Sequence, residues 1–130
     1  MNSKQTGIWG EKIAENYLKK KGYQILGKNF STNFSSGPQR GEIDIIAKKE
    51  NIITFIEVKT LGQAQGEFFR PEDKVNFWKQ RKIIRAAEFW LMKKKIPLDS
   101  RWQIDVVAVK IDSGSKLAKI QHFKNAVFLA

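Results

Sequence analysis

The sequence contains no cysteine, which removes disulfide bonds and thiolate metal sites from consideration. His122 is its one histidine, so a histidine-based catalytic dyad or a zinc cluster has little to draw on. No apolar run approaches the roughly 18 residues that a membrane helix requires. The segment Met1–Thr6 leads into an amphipathic stretch and lacks the apolar core of a signal peptide. A P-loop, a dinucleotide-binding fingerprint and a G-x-S-x-G elbow are missing too. The expectation is a water-soluble, cytoplasmic protein that does not enter a membrane. Acidic residues are scarce beside basic ones: 13 Asp and Glu against 24 Lys and Arg leave a net charge of +11. Such a surplus favours polyanions, because neutralising phosphates releases condensed counterions. Nucleic acid is the expected partner, although ribosome-type binding or an anionic membrane surface would also suit the charge. Charge narrows the partner and leaves the activity open.

The chain is 130 residues long and 42% hydrophobic, enough for one core and too short for two. It shows no repeat or linker, so a single domain over residues 1–130 is expected. A first helix is expected from Ser3 or Thr6 to Lys21, closed by Gly22, with Ile13, Ala14, Tyr17 and Leu18 on one arc. Tyr23–Leu26 reads as a strand, followed by a polar loop through Pro38. Glu42–Lys48 and Ile52–Thr60 are strongly β-like, and the short Lys49–Asn51 link makes them an antiparallel hairpin. The longest helical pattern runs from Glu72 or Asp73 to Lys94 or Lys95, ahead of Pro97. Trp102–Ile111 and, more weakly, Lys119–Phe123 read as further strands. The predicted order is αβββαββ, an α/β fold with a mixed sheet flanked by helices.

Three charges sit where apolar residues would be expected. Asp44 interrupts the apolar run Ile43–Ile46, and Glu57 and Lys59 interrupt Phe55–Lys59. Side chains alternate along a strand, so Glu57 and Lys59 project to one face. The short hairpin turn brings Asp44 near them. A buried charge is costly unless paired or bound to metal. A structural ion pair of Lys59 with either carboxylate leaves the other without a partner. A divalent-metal site accounts for all three: two carboxylates hold Mg²⁺ or Mn²⁺, and the ammonium steadies developing negative charge.

Gly41–Ala47 followed by Phe55–Thr60 resembles the signature of the YraN-like family of small bacterial proteins. That family is similar to archaeal Holliday-junction resolvases and to the restriction-endonuclease-like (PD-(D/E)xK) superfamily. The likeness extends to Gly10-Glu11 with Ala14, Tyr17 and Leu18, to Ile104–Val107, and to Asn125–Phe128. It implies a nuclease fold, Mg²⁺ or Mn²⁺ as cofactor, and DNA as substrate, including branched or single-stranded forms. The family's Asp, Glu and Lys fall on Asp44, Glu57 and Lys59. Where a basic residue is expected soon after the lysine, this chain has Thr60-Leu61. The alternative function is a nucleic-acid-binding module that keeps the fold without useful cleavage. By analogy with resolvases, which act on two strands symmetrically, a homodimer is the assembly to expect.

Other residues extend this set. Glu11 lies on the shoulder of the first helix's apolar arc and is a candidate third metal-site carboxylate; a helix-start acid favoured by the macrodipole is the alternative. Glu15 reads as part of the solvated face with Lys12 and Lys19. In the long helix, Gln80 falls within the stripe Phe77, Ile84, Ala87 and Leu91, where it either sits beside the metal or finds core partners. Lys79, Arg81, Lys82 and Arg85 lie on its flanks and suit phosphate contacts or a solvated basic face. Phe68, Phe69 and Trp78 suit base stacking or the core. Asp105 reads as a structural hydrogen-bond acceptor.

Overall fold

The apolar spacing of the first segment produces helix α1 over Ser3–Lys20. Here the protein is described by a computed structural model, which covers residues 3–32, 42–61, 77–112, 114–115 and 117–126, without the side chains of Ser3 and residues 77–79. α1 stops at Gly22, whose φ of +96° costs a glycine little. The Tyr23 N–H bonds the Leu18 carbonyl and the Gly22 N–H that of Lys19, a Schellman closure.

Strand β1 (Gln24–Ser31) is longer than the expected Tyr23–Leu26 and takes up part of the supposed polar loop. Its pairing with β2 continues past an irregularity between Ile25 and Gly27, which lets a sequence without clean alternation stay in the ladder. Strands β2 (Glu42–Lys49) and β3 (Ile52–Leu61) form the expected antiparallel hairpin. Its turn residues Glu50 and Asn51 have φ of 53° and 65°, as a two-residue hairpin with the primed twist demands.

Helix α2 is described over Phe77–Lys93; the earlier start expected at Glu72 or Asp73 lies outside the described residues. It ends in a second Schellman-type closure in which Lys95, not glycine, takes the left-handed position with φ 59°. Strand β4 (Trp102–Ile111) runs parallel to β3, and β5 (Ala118–Phe123) antiparallel to β4. The sheet order is β1-β2-β3-β4-β5, so the fold is the expected mixed α/β sheet in the order αβββαββ.

The helices cover opposite faces of this sheet. Ile83, Ala86, Ala87, Trp90 and Leu91 of α2 pack on Ile43, Ile46, Ile53, Phe55 and Ile104. Ala14 and Leu18 of α1 pack on Ile45, Ala47, Ile56, Val107, Val109 and Ile111. The buried stripe of α2 is therefore turned slightly from the expected one: Ile83 is buried and Ile84 only partly so. Trp90 explains the turn, since its indole meets Phe55 edge-on at 5.7 Å and draws that side of the helix inward.

Candidate functional site

The β2–β3 ladder ends at the pair Ile45↔Ile56. Beyond it the two strands are joined by a side chain: the Val58 N–H donates to Asp44 Oδ2 at 2.7 Å. Asp44 is thus fixed where β2 and β3 part. Glu57 is 7% exposed and lies within hydrogen-bonding contact of Asp44. Strand alternation places Glu57 and Lys59 on the side of Phe55, and the Lys59 Nζ stands 3.8 Å from Glu57 Oε1. Burial first, and then the carboxylates of Glu57 and Glu11, push the Asp44 carboxyl up to about 8 against the opposing Val58 N–H. The structure therefore brings together Asp44, Glu57 and Lys59, the three charges singled out in the sequence.

Glu11 comes from α1, half-buried. Its carboxyl is raised by burial and then by Glu42 and Glu57, while Lys28 acts the other way. Glu11 thus belongs to the electrostatic surroundings of the pair. Gly10 holds α1 close to β3. A Cβ on Gly10 would overlap the Thr60 hydroxyl and come within 2.8 Å of its Cγ2. Thr60, where a basic residue was expected, is the surface on which that helix crosses.

Glu15 departs from the expectation of a solvated position: it is only 6% exposed. The packed line of α1 runs through Glu11, Ala14, Glu15 and Leu18, spaced i, i+3, i+4 and i+7, so Glu15 faces the sheet. It is covered by lysines rather than sunk in the apolar core. Lys19 Nζ lies 2.9 Å from one oxygen and Lys28 Nζ 3.1 Å from the other. These two lysines pull its carboxyl down to about 2. Two further groups beside the site escaped the sequence reading, Glu42 and Lys28. Glu42 could have been found from its i, i+2 relation to Asp44, which puts both on one side of β2. Nothing local marked Lys28, because its proximity depends on the β1–β2 register, Lys28↔Ile45.

Among the described residues no group of three or more His, Cys, Asp or Glu is gathered closely enough to hold an ion by itself. Asp44 and Glu57 nonetheless fit a divalent cation. They are all-oxygen donors, and their mutual repulsion in a covered position is what a dication would relieve. Mg²⁺ commonly binds through one or two carboxylates, with waters and substrate phosphate completing its shell.

The remaining candidates are distributed around this centre. Gln80 is half-buried on α2, one turn before Ile83 and in line with Ala87. Arg81 and Arg85 are exposed one turn apart on the same helix, and Lys82 is half-buried. Lys79 lies in α2, but its side chain is outside the described residues, as are Phe68, Phe69 and the Trp78 side chain. Asp105 is fully buried and accepts hydrogen bonds from Gln103 Nε2, the Asn125 N–H and the His122 ring at 2.7–2.8 Å, the acceptor role expected of it. The other ring nitrogen of His122 meets the Tyr17 hydroxyl at 2.9 Å, so this cluster ties α1 to β4 and β5.

The fold and site define a mixed α/β protein with a carboxylate pair and a lysine at the point where two central strands separate. Residues 10–109 match the uncharacterised protein family UPF0102, and the chain belongs to that family, the YraN-like proteins. It is 40% identical over 125 residues to a UPF0102 protein of Clostridium botulinum strain 657, covering 95% of this chain and 94% of that one. A UPF0102 protein of Thermodesulfovibrio yellowstonii is 41% identical over 126 residues, covering 95% and 96%. One from Caldicellulosiruptor bescii is 39% identical over 126 residues, covering 97% and 99%. Among the described residues no helix is long and apolar enough to cross a membrane.

Proposed function

We propose that this protein is a Mg²⁺- or Mn²⁺-dependent endonuclease that hydrolyses phosphodiester bonds in DNA, including branched or single-stranded forms. The observation that carries this reading is the contact of Asp44 with Glu57 where β2 and β3 part, with the Lys59 ammonium alongside. A protein that only bound nucleic acid would have no use for covered carboxylates facing phosphate. Asp44 and Glu57 hold the cation, which supplies Lewis acidity toward a phosphodiester. Lys59 stabilises the charge that builds on the phosphate oxygens as the bond breaks. Glu11 adds negative potential on the α1 side and favours cation retention. The exposed Arg81 and Arg85, with Lys79 and Lys82, supply phosphate contacts on α2. The resemblance to resolvases supports a two-fold dimer acting on paired strands.

Lys59→Ala tests the enzyme reading. The variant keeps its fold, its Mn²⁺ binding and most of its DNA affinity, and loses cleavage by on the order of 10²-fold or more. Lys59→Arg does not fully restore the rate, because a planar guanidinium replaces a compact ammonium poorly. The assay uses duplex, single-stranded, flap and four-way-junction DNA with Mg²⁺ and with Mn²⁺. Wild-type protein that binds these substrates and cuts none of them would establish a binding module instead.

A further inference from the structure

One covered acid near the candidate site lies outside its proposed ligand set. Glu15 is 6% exposed yet carries two lysines, at 2.9 Å and 3.1 Å. Lys19 is its helical i+4 neighbour and already answers the charge. Lys28 is different: it reaches Glu15 from another element, β1. There it pairs with Ile45, the residue directly after Asp44, and its side chain stays 50% exposed. It is also the cation whose field opposes the rise of Glu11. Lys28 is therefore a solvent-facing ammonium, tethered by a covered carboxylate, one strand away from Asp44. Stability gives little reason for the arrangement, because a half-exposed pair contributes about 0–1 kcal/mol and Glu15 has Lys19 without it.

We propose that Lys28 binds a backbone phosphate of the nucleic acid adjacent to the phosphodiester presented to Asp44 and Glu57, and that Glu15 positions it. This inference rests on the nuclease reading of the same site. Lys28 on β1 aligns through Ile45 with Ile56 of β3, and Lys59 lies three residues further along β3, so the two backbones stand roughly 14 Å apart on a diagonal that crosses the place where β2 and β3 separate. A backbone passing the parted strand ends meets Lys28 on the α1 side and Lys59 on the Phe55 side, with the carboxylate pair between them. The substrate class is thus an internal phosphodiester with nucleotides on both flanks rather than a chain end.

The test measures binding in the absence of cleavage. Lys28→Gln and Lys28→Arg are made in the Asp44→Asn background. Fluorescence anisotropy with labelled oligonucleotides, single-stranded and duplex, is followed across salt concentrations in EDTA. Lys28→Gln should lower the slope of log affinity against log salt by about 0.7 for the single strand and about 0.9 for the duplex. That slope change corresponds to a loss of about five- to eightfold in affinity near 0.1 M salt. Lys28→Arg should restore both, and the melting temperature of Lys28→Gln should stay close to its parent's because Lys19 still pairs with Glu15. An unchanged slope with a lowered melting temperature would show an ion pair that only braces α1 against β1, and the inference would fall. If wild type cuts DNA while the slope is unaffected, Lys28 is wrong and the nuclease reading stands. If the slope falls as expected while wild type cuts nothing, the phosphate contact is right and the nuclease reading is wrong. Absence of any binding to either oligonucleotide overturns both.

Discussion

Replacing Asp44 by Asn should stabilise the metal-free protein at neutral and alkaline pH while removing its response to cation. In the folded chain the Asp44 carboxyl is pushed up from 3.8 to about 8 by burial and by its carboxylate neighbours. Between those values the folded state retains a proton that the unfolded state has released. Stability then falls as pH rises through that window, since the unfolded state binds fewer protons than the native one. At 1.36 kcal/mol per unit, the full shift corresponds to about 4 kcal/mol of lost stability at pH 7. Asp44 is half-buried, so water entry and reorientation of Glu57 reduce the expected effect to about 2 kcal/mol. The amide introduced by Asp44→Asn carries no charge, its carbonyl oxygen can still accept the Val58 N–H, and its NH₂ can donate to Glu57. For a domain of this size, about 2 kcal/mol corresponds to roughly 6–10 °C in Tm. Thermal and urea unfolding in EDTA from pH 4 to pH 9 should show the two proteins converging in acid and Asp44→Asn ahead at pH 8. Saturating Mn²⁺ should raise the melting temperature of wild type only, by binding the native state. A variant less stable than wild type in EDTA at pH 8, or a difference independent of pH, would refute the reasoning.

The crossing of α1 over β3 gives a paired test. Gly10→Ala, which places a methyl against the stiff β-branched Thr60, should cost about 1–3 kcal/mol in urea unfolding. Gly7→Ala, three residues earlier with nothing within 4 Å of the new Cβ, should be neutral or stabilise by up to about 1 kcal/mol. Arg81→Ala and Arg85→Ala should each reduce the salt slope of DNA binding by about one unit, and a salt-independent interaction would remove the polyanion assignment. Glu15, held down at about 2 by Lys19 and Lys28, contributes stability that is present above the ordinary carboxylate range and lost as pH falls toward 2. Glu15→Gln should lower stability at pH 8 and leave it little changed near pH 2, which flattens the acid limb of a pH-dependent melt; an unchanged acid limb would mean that the two lysines do not hold the carboxylate.

By itself the sequence determined the order of the elements, the β2–β3 hairpin and the grouping of Asp44, Glu57 and Lys59. All of these follow from short-range rules. Period-two alternation puts Glu57 and Lys59 together, and a two-residue turn leaves little freedom in how Asp44 meets them. The tertiary structure decided what depends on how a helix is rolled against a sheet and on how distant strands register. Only packing shows that α1 turns Glu15 inward beneath Lys19 and Lys28, and only the Lys28↔Ile45 register carries a β1 lysine to the neighbourhood of Asp44. The Tyr17–His122 bond joins residues 105 positions apart and fastens α1 to the last strand. Such contacts arise from the mutual fit of surfaces assembled from the whole chain, and a local pattern of residue types carries no record of them.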